Sequence, residues 1–267
     1  MLDVKRNLTT MTDFYELTMS AGYLDEGYVD KIAVFDMFFR RVPDGGGYAI
    51  MAGLQQFIDA VDHLEFTQED IDYLRTTGAF NEKFLNYLAN FKLHCNIWAI
   101  EEGMPIFPQE PIVTVEGPAI ECQLLETLLL VTFNHQCLIA TKANRIVRSA
   151  AGRPVMEFGA RRAQGYDAAY FGARASYIGG CGSTSMILGE RDEHEPHAGS
   201  FLPGSIVDIL SFDNFLIGSW QRPVGFDISH RGFVGTSQKV PVRNIQIDTV
   251  CPAPLIERAD LFPLFPL

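Results

Sequence analysis

Residues 119–151 contain neither glycine nor proline, and Gly117-Pro118 and Gly152 bracket them. An unbroken run of that length predicts one long helix or two nearly continuous ones, and the rest of the chain must be arranged around it. Leu124, Leu125, Leu128, Leu129 and Val131 wrap most of its circumference, so the first half should be buried. The stretch 124–131 is the most apolar in the chain, but Glu126 and Thr127 interrupt it and it is far too short to span a bilayer. The second half turns basic, with Lys142, Arg145 and Arg148 succeeding one another at i+3 steps on one broad face.

That basic face opens a wider cationic window. The protein carries a formal net charge of -12, yet residues 141–174 hold Lys142, Arg145, Arg148, Arg153, Arg161, Arg162 and Arg174 against only Glu157 and Asp167, a local +5. Cations gathered in one segment of an acidic chain, beside glycine-rich turns, suit a small anionic ligand such as a phosphate or carboxylate. The acidic bulk argues against nucleic acid or an anionic membrane as partner, since both require basic surfaces.

Within the window, FGARRAQGYD reads as a strand end, a tight turn and two adjacent arginines whose side chains diverge. One of Arg161 and Arg162 can fork onto an anion while the other pairs with Glu157 or Asp167. The glycines and hydroxyls of 178–185, IGGCGSTS, can either present backbone N–H groups to a phosphate or form a plain structural turn. They lack the lysine of a nucleotide P-loop. His135, in Asn134-His135-Gln136, reads first as a helix-packing histidine, and the histidine spacings make no metal motif. Five cysteines, Cys95, Cys122, Cys137, Cys181 and Cys251, include no CxxC pair and read as free buried thiols in a reducing compartment. The N-terminus has no apolar core of a signal peptide, so the expected location is cytoplasmic.

The remaining elements follow from periodicity. A helix over 13–23 should be capped by Asp13 with Glu16 completing a capping box, and should bury Phe14, Leu17 and Ala21. Tyr15 lies beside that stripe, in line with Met11 and Met19. KIAVFDMFFR, 31–40, is apolar on both faces and suggests a central strand; 43–47, PDGGG, is a turn. Helical stripes follow at Leu54, Phe57, Ile58 and Val61, and at Phe84, Tyr87, Leu88 and Phe91. Between them Thr67 and Asp70 make a capping box for a helix burying Ile71 and Leu74. Short strands are expected at 95–100, 112–115 and 154–158. Strands alternating with helices give an α/β fold class, with 1–117 as an N-terminal α/β domain.

Taken together, NLTTMTDFYELTMSAGY, VFDMFFRRVPDGGGYAIMAGL, NHQCLIATKANRIV, PVMEFGARRAQGYDAAYFGARASYIGGC and GSTS resemble bacterial nicotinate phosphoribosyltransferase from about Asn7 to Ser185. The resemblance implies the beginning of an irregular α/β barrel of the type II phosphoribosyltransferase kind over 118–185. It implies formation of nicotinate mononucleotide and pyrophosphate from nicotinate and phosphoribosyl pyrophosphate, coupled to ATP hydrolysis with Mg²⁺, in NAD salvage. It also implies a homodimer with active sites at the subunit interface. By resemblance, Tyr15 stacks on the pyridine ring from the neighbouring subunit and Arg161 meets the ligand's anionic groups beside Ala160. Arg162, Asn134, Thr141 and Lys142 support the pocket. The alternatives are a nicotinamide or quinolinate phosphoribosyltransferase, and a non-catalytic fragment that binds ligand or caps a partner.

After Ser185 the resemblance stops. Eight of the fourteen prolines fall in the last 77 residues, and no residue there stands in the family's phosphohistidine context; His194, His197 and His230 all lack it. The expectation is a divergent segment over 186–267, an incomplete barrel, and a chain that by itself is inactive or impaired.

Overall fold

A computed structural model describes residues 7–42, 45–192, 239–242 and 245–249. The expectations for Pro43 and Asp44 in the turn, for Cys251, and for the three histidines after 192 lie outside the described residues. Helix α1 (Phe14–Asp25) begins after Asp13, whose side chain makes no capping bond. The expected stripe is only partly right: Leu17 and Leu24 are buried with Glu16 and Ser20, while Phe14 is 51% exposed. Glu16 completes no capping box, because its carboxyl points inward and binds another helix.

Strand β1 (Ile32–Met37) leads to the short β2 (Ala49–Ile50) and to α2 (Leu54–Val61), which buries Leu54, Phe57 and Val61 as its stripe predicts. Helix α3 (Gln68–Thr76) starts with the expected capping box: Thr67 Oγ1 accepts from the Asp70 N–H at 3.2 Å, and Asp70 Oδ2 accepts from the Thr67 N–H at 2.8 Å. Such a cap contributes about 1 kcal/mol. Helix α4 (Glu82–Ala89) is capped by Asn81, whose Oδ1 accepts from the Phe84 N–H at 2.9 Å.

Strands β3 (Asn96–Ala99), β4 (Pro105–Ile106) and β5 (Val113–Pro118) follow, and late in the chain come β8 (Lys239–Val242) and β9 (Ile245–Thr249). The main sheet runs in the order β1-β5-β3-β9-β8. β5 lies antiparallel to both β1 and β3, with Val115 opposite Phe35 on one side and Ile97 on the other. β1 is therefore an edge strand and not the central strand its apolar composition suggested. Val34 and Phe35 are exposed on it, so both its faces are not covered within this chain's described residues.

The breaker-free run folds as two nearly continuous helices, α5 (Ala119–Gln123) and α6 (Glu126–Ser149). By length and composition it would pass for a membrane span, but Leu125, Leu128, Phe133 and Ala140 are packed inside protein. Val131, expected to be buried, is exposed together with Leu130. One core runs from Leu17 through Phe57, Phe84, Ile97 and Leu125 to Cys137, and the Phe57 and Phe133 rings meet at 5.5 Å. Each such side chain contributes roughly 1.5–3 kcal/mol by burial, so α6 is the beam on which the first half of the molecule is built.

Beyond α6, β6 (Met156–Glu157), α7 (Tyr166–Ile178) and β7 (Ser183–Thr184) form a strand–helix–strand unit with parallel strands, as the beginning of an α/β barrel requires. β6 is shorter than the expected 154–158. A last described helix, α8 (Ile187–Asp192), follows β7. α7 crosses α6 closely at Gly179, where an added Cβ would lie 2.5 Å from the Ala140 carbonyl oxygen and 2.7 Å from the Ala143 Cβ. The glycine-rich turn is thus shaped first by helix packing.

Candidate functional site

Between the end of β6 and the start of α7 the chain makes one 3-10 turn, Ala160–Arg162. It then reaches Gly165 at φ 106° and ψ 164°, a conformation that essentially only glycine adopts. This pair of turns opens a cleft of about 430 Å³, lined by Ala160, Arg161 and Ala163 from the turn, by Gly165 and Tyr166 at the head of α7, and by Met186 after β7. Its size and mostly apolar wall, with one guanidinium at the rim, suit a small aromatic or sugar-sized anion. Arg161 is exposed there, where a charge-assisted fork onto a carboxylate or phosphate is geometrically open.

The cleft's floor is held by Glu157. Its Oε1 accepts from the Gly159 N–H, and its Oε2 accepts from the Thr184 hydroxyl at 2.5 Å. The Ser185 N–H donates to the Glu157 carbonyl at 2.9 Å, so Glu157 ties the arginine turn to the glycine–hydroxyl turn. Glu157, expected with Asp167 as a counter-ion for one of the two arginines, makes these two bonds within the turns themselves.

Arg174 departs from the reading of the cationic window as one anion receptor. Its guanidinium forks onto Glu102, Nη1 to Oε1 at 2.8 Å and Nη2 to Oε2 at 2.6 Å. Glu102 Oε1 also accepts from the N–H groups of Gly53 and Leu54, at 2.6 and 2.9 Å, at the start of α2. Burial pushes the Glu102 carboxyl upward, but Arg174 and the two N–H groups outweigh it and hold it below its ordinary value of 4.5. Arg145 is similarly engaged: its Nη2 donates to the Tyr48 carbonyl at 3.5 Å, and the guanidinium lies directly over Gly46.

Of the site residues expected from the sequence, the cleft brings together Ala160 and Arg161; Arg162 is exposed on the same turn. Asn134 is exposed and Lys142 half-buried, both on α6 and neither in the cleft wall. Thr141 is buried, accepting from the Ile50 N–H at 2.8 Å and donating to the Cys137 carbonyl at 2.5 Å, which makes it a tie between α6 and β2. His135 packs as a helix histidine, its Nε2 3.2 Å from the Ala168 carbonyl on α7. Tyr166, Gly165 and Met186 line the cleft and were missed; the Gly-Tyr step closing FGARRAQGY was the only signal for the first two.

Tyr15 stands on α1 with its ring 45% exposed, flanked by exposed Met11, Phe14 and Met19. Partial burial and a hydrogen bond with Glu126 push its hydroxyl up to about 12, so it stays protonated at neutral pH. The four described cysteines are free and buried; burial pushes the thiols of Cys137 and Cys181 up to about 12 and 11. Neither is a thiolate nucleophile at neutral pH.

Residues 10–134 match the nicotinate phosphoribosyltransferase (NAPRTase) N-terminal domain family. The chain is 41% identical over 208 residues to the nicotinate phosphoribosyltransferase pncB2 of Mycobacterium tuberculosis, covering 76% of this chain and 45% of that protein. It is 40% identical over 194 residues to the nicotinate phosphoribosyltransferase of Bacillus subtilis, covering 73% of this chain and 40% of that protein. The matched part thus spans less than half the length of these curated relatives. The crystal structure of human nicotinic acid phosphoribosyltransferase superposes with a TM-score of 0.64 at 34% identity, over 71% of this chain and 39% of that one.

Proposed function

We propose that this chain, whose residues 10–134 match the nicotinate phosphoribosyltransferase N-terminal domain family, acts in NAD salvage on nicotinate and phosphoribosyl pyrophosphate, yielding nicotinate mononucleotide and pyrophosphate. The observation that carries the reading is the Ala160–Arg161 turn at the wall of a small apolar cleft, in the stretch that most resembles that family. Transfer at the ribose anomeric carbon builds positive charge on the sugar while pyrophosphate departs as an anion. The protein's task is therefore to hold two substrates in line and to meet the departing charge. In this proposal Arg161 supplies that charge with Arg162 on the same turn, Asn134 and Lys142 lend support from α6, and Thr141 acts only by fixing α6 to β2.

The proposal includes a homodimer in which Tyr15 of the partner subunit stacks on the pyridine ring. Supporting it is the exposed apolar patch formed by Met11 just ahead of α1 and by Phe14, Tyr15 and Met19 on it, with Leu130 and Val131 exposed on α6, whose Thr127 accepts from the Asp13 N–H. ATP and Mg²⁺ are part of the proposal through the resemblance alone. Among the described residues no group of three His, Cys, Asp or Glu side chains is placed to hold a metal, so no step is routed through one. A cytoplasmic setting is also part of the proposal.

The test is a thermal-shift titration with nicotinate, nicotinamide, quinolinate and phosphoribosyl pyrophosphate, run beside an assay for nicotinate mononucleotide with and without ATP and Mg²⁺. Stabilisation by nicotinate above the other two pyridines, with product formed, supports the reading. Stabilisation without product leaves a ligand-binding protein, and no response to nicotinate rejects the proposal.

A further inference from the structure

Glu16 is completely buried, and among the described residues it makes no ion pair. A carboxyl in that position needs a structural reason, since an unpaired buried charge is costly. Its partners supply one. Oε1 accepts from the Thr127 hydroxyl at 2.5 Å and from the Thr127 N–H at 3.2 Å, in the first turn of α6. Oε2 is bonded to the Thr12 hydroxyl, just ahead of α1, and the Asp13 N–H donates to Thr127 Oγ1 at 3.3 Å. One side chain therefore joins two helix starts that are 111 residues apart in the chain.

We propose that Glu16 is a positioning residue for Tyr15: its carboxyl locks the first turn of α1 onto the first turn of α6 and so fixes where the Tyr15 ring projects. The inference rests on the reading of Tyr15 as the aromatic contact to the pyridine ring. Around it, Phe14, Tyr15, Thr18 and Met19 are all exposed, so in the first six residues of α1 only Glu16 and Leu17 reach inward. Apolar burial alone fixes such a turn poorly, and a polar joint of three bonds supplies the missing restraint.

Burial raises the Glu16 pKa above 4.5, the nearby Glu126 carboxylate adds to the rise, and the hydrogen bonds from Thr12 and Thr127 oppose it. Asp13 and Glu126 are the acidic groups that flank Tyr15 beside it, on the α1 cap and on α6. Oε2 accepts from the Thr12 hydroxyl while Oε1 accepts both Thr127 donors. Glutamine keeps an oxygen for both Thr127 donors and can offer its NH₂ to the Thr12 hydroxyl oxygen; leucine fills the space and makes none of the bonds.

The experiment compares the unaltered full chain with Glu16→Gln, Glu16→Leu and Tyr15→Ala. It reads amide hydrogen exchange over residues 13–18 and at Thr127, and calorimetric affinities for nicotinate and for phosphoribosyl pyrophosphate. Glu16→Leu should speed exchange in that segment by about tenfold and weaken nicotinate by about tenfold, roughly 1.4 kcal/mol, with phosphoribosyl pyrophosphate affinity unchanged. Glu16→Gln should restore both. If Glu16→Leu does not fold, Thr127→Val, which removes one donor, should show the same pattern more weakly. Unchanged exchange or nicotinate affinity in Glu16→Leu, or no rescue by Glu16→Gln, while Tyr15→Ala weakens nicotinate, overturns the role of Glu16 and leaves that of Tyr15 standing. If Tyr15→Ala binds nicotinate normally, or the unaltered chain binds none, the reading of Tyr15 fails and this inference fails with it.

Discussion

Replacing Arg174 with methionine would leave the Glu102 carboxylate inside the protein without its cation, held only by the N–H groups of Gly53 and Leu54. Removing one partner of a fully buried pair costs roughly 3–5 kcal/mol. Here the side chains retain 15% and 19% exposure, and two backbone donors remain, so about 2–3 kcal/mol is expected. For a protein of this size that is a fall of about 4–12 °C in Tm, readable by scanning calorimetry or urea titration. Arg174→Met with Glu102→Gln removes both charges and should recover most of the loss. The pH dependence has a definite sign. Glu102 is held below 4.5, so its contribution is complete above that value and is lost as pH falls through its folded pKa. Arg174→Met should abolish that acid-side loss. The contrary result is a variant as stable as the parent that binds phosphoribosyl pyrophosphate more weakly. Arg174 would then belong to the ligand, and its description as a strut between α7 and the start of α2 would be wrong.

Arg161→Ala should weaken nicotinate or phosphoribosyl pyrophosphate by the worth of one charge-assisted bond, roughly 1.5–3 kcal/mol, without lowering Tm; unchanged affinity by calorimetry would remove Arg161 from the site. Leu17→Ala should cost roughly 2–5 kcal/mol in urea titration and Tyr15→Ala much less, whereas equal losses would make Tyr15 a core residue. The raised Glu16 carboxyl has the opposite sign to Glu102: its contribution is complete below 4.5 and declines as pH rises through its folded value, so Glu16→Gln should flatten the stability profile above 4.5. Gly179→Ala should cost roughly 1–3 kcal/mol, because its Cβ would press on the Ala140 carbonyl, and a neutral result would show that α7 can withdraw from α6 freely.

What could be read from the sequence was whatever local chemistry decides. The capping box of Thr67 and Asp70, the α2 and α4 stripes, and the helical run after Pro118 depend on residues within a turn or two of one another, and each formed where expected. β1 failed for the opposite reason. Its composition records that both faces are apolar but cannot say whether this chain covers them, and here Ile32, Val34 and Phe35 stay exposed at a sheet edge. Glu16 failed likewise: the spacing from Asp13 fits a capping box, and only the approach of Thr127 from a distant segment turns the carboxyl inward.

The cationic window shows how the same limit applies to a site. Summing charges along 141–174 treats seven cations as if they faced one ligand, but a linear sum cannot see partners from elsewhere in the fold. Glu102, outside the window, takes Arg174, and the Gly46–Tyr48 segment takes Arg145 along α6. At an effective interior dielectric, an ion pair made at 2.6 Å leaves little field for a ligand several ångströms away. The attraction offered to an anion at the cleft is therefore set by the cation at its wall, Arg161, and not by the total. Affinity for a doubly charged ligand should then fall with salt as expected for one or two contacts rather than five. Isothermal titration across an ionic-strength series reads this directly, and a salt dependence as steep as the full +5 would require returns the ion pairs described above cannot give.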